Sequence, residues 1–155
     1  VAEDDVDFAV AAYHDEGRWQ VVELLPGLGE DVDELSAALG RFPSDVGVLG
    51  IVSIQDDFFV IVRRSGTDIR AMLSDVTAVD DFPLAGGVVE LLDIVDTGGD
   101  DDPIAVGDLA LLADLGMSAH DLGALCEEVE LYPEDMLMDV AERLGFGSEL
   151  EAVIR

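Results

Sequence analysis

Val46 to Ile54 reads as one apolar run, and after only Gln55-Asp56-Asp57 a second begins at Phe58 and continues to Val62. Successive residues of a strand point to opposite faces of its sheet, so a run that is apolar on consecutive positions describes a central strand covered on both sides. Neither run exceeds about half the length of a bilayer span, which makes them core strands and not membrane segments. A covered sheet is therefore the frame for reading the rest of the chain.

Upstream, Phe8 to Tyr13 and Trp19 to Leu24 are short β-prone segments, and His14-Asp15-Glu16-Gly17-Arg18 between them has the composition of a hairpin loop. Pro26-Gly27-Leu28-Gly29 breaks the strand. Asp31 or Asp33 then caps a helix with Val32, Leu35, Ala38 and Leu39 near one face, ended by Gly40. Phe58 to Arg64 follows the central strand, and the turn Ser65-Gly66-Thr67-Asp68 leads into Ile69 to Leu73. Ser74 caps a short helix through Val79, and Val88 to Val95 suits strand or helix. The expected product is an α+β fold: a mostly antiparallel sheet of about five strands with one packed helix, followed by a small C-terminal helical unit.

Asp96 to Pro103 changes the composition sharply, since like charges and glycine oppose a packed core. This divides the chain into an α+β sheet domain at 1–95, an acidic linker at 96–103 and a helical unit at 104–155. In that unit Leu109, Leu112, Ala113 and Leu115 recur at helical spacing. Leu122, Leu125, Cys126 and Val129 do the same behind a Ser118 cap, and Pro133 opens a helix striped by Met136, Leu137, Val140, Ala141 and Leu144 that Gly145 closes. Ser148 is read as the cap of a last short helix. The unit has three surfaces to pack on: the sheet, itself or another protomer.

Charge decides which partners suit the chain. Its 155 residues carry 36 acidic and 7 basic side chains, a formal net charge of -29, and every basic residue is an arginine. Binding nucleic acid depends on neutralising phosphates with Lys and Arg, so direct contact with nucleic acid or an anionic membrane is not expected. The absence of Lys fits a G+C-rich genome or salt adaptation equally. The lone Cys126 cannot form an internal disulfide, and Glu3, Asp4, Asp5 and Asp7 stand where an export signal needs basic residues. Both point to the cytoplasm. A mean hydropathy of +0.33 beside this charge implies a rich core under an acidic exterior.

No catalytic, cofactor-binding or metal-binding residue is assigned. His14-Asp15-Glu16 matches the H-x-E fragment of zinc-dependent nucleobase deaminases, but their P-C-x-x-C element is missing and Cys126 is followed by Glu127-Glu128, so zinc would lack its thiolates. Hairpin-turn residues account for the fragment. The acidic stretch from Asp96 to Asp108 fails as an EF-hand, having Asp101 where the sixth-position Gly belongs and Gly107 where the twelfth-position Glu belongs. Gly27-Leu28-Gly29 has Val32 in place of the third glycine of a dinucleotide turn, and a loop break explains it. The two histidines, His14 and His120, are not tied to any serine, and Cys126 lies on an apolar helical face beside acids that disfavour its thiolate. Pairs such as Asp56-Asp57 and Glu127-Glu128 are inevitable in so acidic a chain.

Several stretches together resemble the actinobacterial tRNA adenosine deaminase-associated proteins: Trp19, the run from Asp56 through Phe58, Phe59 and Ile61 to Arg63, and Met72-Leu73-Ser74-Asp75. In the helical part they are Asp108 through Leu111, Leu112 and Asp114 to Gly116, Leu125-Cys126, Pro133-Glu134-Asp135-Met136-Leu137 and Arg143-Leu144-Gly145-Phe146. The resemblance implies association with the enzyme that converts adenosine to inosine in a tRNA anticodon, and it carries no catalytic residues over. With the charge, it gives the expectation of a non-catalytic accessory or regulatory protein that binds the tRNA adenosine deaminase or another basic protein surface. The competing expectations are an enzyme or ligand-binding protein with a site of scattered acidic residues, and a homo-oligomer joined through Met136, Leu137 and Val140.

Overall fold

The structure is a computed structural model that describes residues 6–15, 17–24, 32–42, 47–54, 58–65, 68–73, 106–107, 109–126 and 132–154. Strands β1 (Val6–Asp15) and β2 (Arg18–Glu23) form the opening hairpin, and Gly17 turns it with φ 79°, a left-handed conformation glycine adopts without steric cost. Helix α1 (Val32–Leu39) follows, then β3 (Val48–Ile54), β4 (Phe58–Ser65) and β5 (Asp68–Leu73). A two-residue strand, β6 (Val106–Gly107), is added to the sheet from beyond the expected linker. The sheet order is β2-β1-β3-β4-β5-β6, and every neighbouring pair is antiparallel.

The apolar run now has its explanation. In β3, Val48 and Val52 belong to one core and Leu49 and Ile51 to another, and β4 divides likewise into Phe58, Val60 and Val62 against Phe59 and Ile61. On the first side α1 lays Leu35 and Leu39 over the strands, and Gly50 makes room for them. A Cβ at Gly50 would stand 3.0 Å from Leu39 Cδ1. Each fully buried leucine contributes about 1.5–3 kcal/mol relative to an exposed one.

The second face is covered by the C-terminal helices. A 3-10 helix (Leu109–Leu115) is followed by α2 (Ala119–Cys126), α3 (Pro133–Leu144) and α4 (Gly147–Ile154). Leu111, Leu112, Leu122, Met136, Leu137, Val140, Ala141 and Phe146 are buried in one cluster with Val10, Leu49, Ile51, Phe59, Ile61 and Met72 of the strands. The helical unit packs both on the sheet and on itself, α3 against α4 and the 3-10 helix against α2. The Met136, Leu137 and Val140 stripe, expected as a contact with a second copy, is buried inside the chain's own core.

Local signals behave as their chemistry requires. Ser118 Oγ accepts a hydrogen bond from Asp121 N–H at 3.2 Å, capping α2, and Pro133 occupies the first turn of α3. Gly145 takes φ 108° and Phe146 N–H returns to the Ala141 carbonyl at 2.8 Å, closing α3 with a buried phenyl ring just beyond. Two expectations are corrected. Ser148 lies inside α4, which begins at Gly147 and whose first bond runs from Leu150 N–H to the Phe146 carbonyl, so that Phe146 occupies the cap position. Leu109 to Leu115 winds as a 3-10 helix. The expected helix at 74–79, the segment 88–95 and the linker 96–103 lie outside the described residues, as does Asp31.

Candidate functional surface

The residues weighed for catalysis do not converge. His14 continues β1, opposite Trp19 of β2 in the hairpin register, so its expected place in the loop is corrected. The alternation of Phe8, Val10 and Ala12 toward the helical layer extends naturally to it. Its ring meets Trp19 edge-on at 5.4 Å, and Trp19 in turn lies 4.9 Å from Phe146. His120 is exposed in the first turn of α2, and Cys126, at the other end of that helix, is half-buried against the helical-side core. Glu16, the Gly27-Leu28-Gly29 segment, Asp56-Asp57, Glu127-Glu128 and 96–105 lie outside the described residues. Among the described residues there is no group of histidine, cysteine and carboxylate side chains able to hold a metal ion.

The structure does organise the arginines. Arg63 is buried and faces the helical layer, where it donates to the Leu111 carbonyl at 2.7 Å and grips the Asp114 carboxylate through both terminal nitrogens, reaching Oδ2 at 2.9 Å. This forked geometry suits a guanidinium and secures the 3-10 helix to β4. The hydrogen bonds from Arg63 hold the Asp114 carboxyl below the ordinary aspartate range against an opposing push from burial, and the charges of Arg63 and Arg70 assist. Arg70 stands directly across from Arg63 in the β4–β5 register, so Asp114 also relieves a like-charge pair. On the other face Arg64 donates to the Ser36 carbonyl of α1 at 2.7 Å, beneath Gly40. Arg143 joins Asp139 of its own helix, at 3.2 Å, to Asp121 of α2, at 3.6 Å.

Arg63 and Arg64 thus brace helices against strands, and Arg143 ties α2 to α3 at the surface. On the exterior, Arg18, Arg41 and Arg143 are outnumbered by carboxylates such as Glu23, Glu34, Asp135, Glu142 and Glu151, all exposed. Among the described residues the large hydrophobic side chain left in the open is Tyr132, 63% exposed at the start of α3. Neither the Arg63–Asp114 clamp nor Tyr132 was singled out from sequence. An arginine inside an otherwise apolar strand, in a chain with so few basic residues, was the signal for the first.

A sequence profile of the Rv3753c-like tRNA adenosine deaminase-associated proteins matches residues 7–147. The chain belongs to this family. It is 36% identical over 150 residues to Protein Rv3753c of Mycobacterium tuberculosis (strain ATCC 25618 / H37Rv), an actinobacterium, covering 95% of this chain and 87% of that protein. No solved structure matches the chain. The stretches that carry the family resemblance meet in the fold: Trp19, Phe59, Ile61, Arg63, Met72, Leu111, Asp114, Leu137 and Phe146 lie along the seam between sheet and helical layer. In this member of the Rv3753c-like family, those residues build the scaffold. The surface they leave outside is acidic, and no helix among the described residues is long and apolar enough to cross a membrane.

Proposed function

We propose that the chain is a non-catalytic accessory protein of the cytoplasm that docks on a basic surface of the tRNA adenosine deaminase and regulates its access to tRNA. The observation that carries this reading is the excess of exposed carboxylate over exposed arginine. Arg63 and Arg64 are drawn into contacts between strand and helix, and the exposed arginines Arg18, Arg41 and Arg143 are outnumbered by exposed carboxylates, giving an anionic exterior in a family described by its association with that enzyme. An enzyme that handles tRNA needs Lys and Arg to neutralise phosphates, and the same cationic surface attracts an anionic protein. Two anions competing for one cationic surface exclude each other, so the accessory protein acts as an antagonist of RNA binding.

Calorimetric titration of the chain into the deaminase of the same genome, without tRNA and at two salt concentrations, tests this. The expected result is micromolar or tighter binding that weakens as salt rises, together with an increase in the apparent KM for tRNA in activity assays. Absence of heat at both salt concentrations rejects the docking. Binding that leaves tRNA kinetics unchanged at saturating accessory protein rejects the competition.

A further inference from the structure

We infer that the outer side of α3, headed by Tyr132, is the face that docks on the deaminase, and that it receives an arginine-bearing basic segment; this inference rests on the accessory reading above. The inner side of α3 is fully used, with Met136, Leu137, Val140, Ala141 and Leu144 buried against the sheet. Its outer side carries Asp135, Asp139 and Glu142, with Tyr132 immediately before the first turn. Tyr132 is the large apolar side chain that the described fold leaves in water, 63% exposed, where the other described aromatics are buried or half-buried.

Its backbone is nevertheless fixed. The Tyr132 carbonyl accepts from Met136 N–H at 3.0 Å, and its N–H donates to Asp135 Oδ2 at 3.4 Å. An aromatic ring on a fixed backbone loses little freedom on binding, which is the property of an anchor. A tyrosine face takes a guanidinium by stacking, and carboxylates one and three turns further on accept its hydrogen bonds or those of its neighbours. From Tyr132 to Glu142 the helix advances about 15 Å, the reach of a segment of about ten helical residues. Arg143 neutralises part of the far end through Asp139 and Asp121, which leaves Glu142 and the second oxygen of Asp135, whose Oδ2 already accepts from Tyr132 N–H, to face the partner. A second copy is a poor occupant, because each copy brings a net charge of -29.

Four proteins distinguish this face from a diffuse charge effect: wild type, Tyr132→Ala, Glu142→Lys and Glu34→Lys. The last makes the same charge change on α1, across the sheet. Each is titrated into the deaminase at fixed salt, and circular dichroism with Trp19 fluorescence verifies that each variant is folded. Tyr132→Ala and Glu142→Lys should each weaken binding about tenfold or more, the loss of a central contact, while Glu34→Lys changes it by less than about threefold. Equal weakening by both lysine variants with Tyr132→Ala silent overturns the inference and leaves the accessory reading standing, since binding then follows overall charge. A wild-type protein that does not bind removes both. A wild-type dimer that Tyr132→Ala converts to monomer, with deaminase binding unchanged, assigns the face to a second copy and overturns the inference.

Discussion

Arg63 and Asp114 meet where a strand carrying two consecutive arginines passes under the 3-10 helix. Burial of the Arg63 guanidinium is costly, and the carboxylate together with the Leu111 carbonyl offsets that cost. The carboxylate side is 60% exposed, so water screens the pair and its net worth falls at the low end for a charged hydrogen bond. Asp114→Ala is expected to lower stability by about 1–2 kcal/mol in urea denaturation at neutral pH. Because Arg63 holds the folded carboxyl below its unfolded range, the folded state binds fewer protons than the unfolded state between the two values. The contribution is therefore complete above about pH 4 and fades as pH falls through the lower, folded value. The gap between wild type and Asp114→Ala should close in denaturation curves taken below pH 4; a gap that persists unchanged into strong acid would mean that packing, and not the ion pair, is what the substitution removes.

At the scale of elements, the contact of α1 with the sheet depends on Gly50. Both leucines of α1 close over that position, with Leu39 Cδ1 at 3.0 Å and Leu35 Cδ1 at 3.4 Å from where a Cβ would lie. Gly50→Val forces the helix outward and should cost about 1–3 kcal/mol, measured as a lower thermal or urea midpoint with the strand signal retained. Midpoints equal to wild type would show that α1 adjusts freely. Most elements were legible in the sequence because local chemistry and final packing agree there. The β1–β2 hairpin, α1 and α3 carry a regular period together with a stop residue, Gly17, Gly40 or Gly145, and β3 and β4 carry unbroken apolar runs. Where packing rules alone, the sequence was silent. β6 is a strand only because β5 lends it an edge, and the 3-10 winding of Leu109 to Leu115 accompanies the docking of Leu111 and Asp114 onto Arg63. His14 was misplaced because a polar residue at the end of an alternating strand resembles the loop that follows. The candidate face fared worse than the fold, since an exposed tyrosine among acids carries no period.

For the whole molecule, charge acts on stability and on association in opposite directions. A net charge of -29 on a domain of this size opposes its own compaction, and salt shortens the range of that repulsion from about 10 Å at 0.1 M to about 3 Å at 1 M. The thermal midpoint should rise by about 5 °C between low salt and 1 M sodium chloride, on the order of 2 kcal/mol for a chain of this length. Over the same range binding to a cationic partner should weaken. A midpoint that falls with salt would show that internal ion pairs outweigh the repulsion. The stack of His14, Trp19 and Phe146 gives access to the joint itself. Trp19 is the chain's one tryptophan, and it sits where the hairpin meets the turn between α3 and α4. Its emission is in effect an optical gauge placed across that joint, red-shifting when Phe146 departs and water arrives. Backbone circular dichroism, by contrast, sums every helix and strand. Coincidence of the two signals in a melt means that the helical layer leaves as the sheet unravels, whereas an earlier optical transition means that the layer lifts off a sheet still intact.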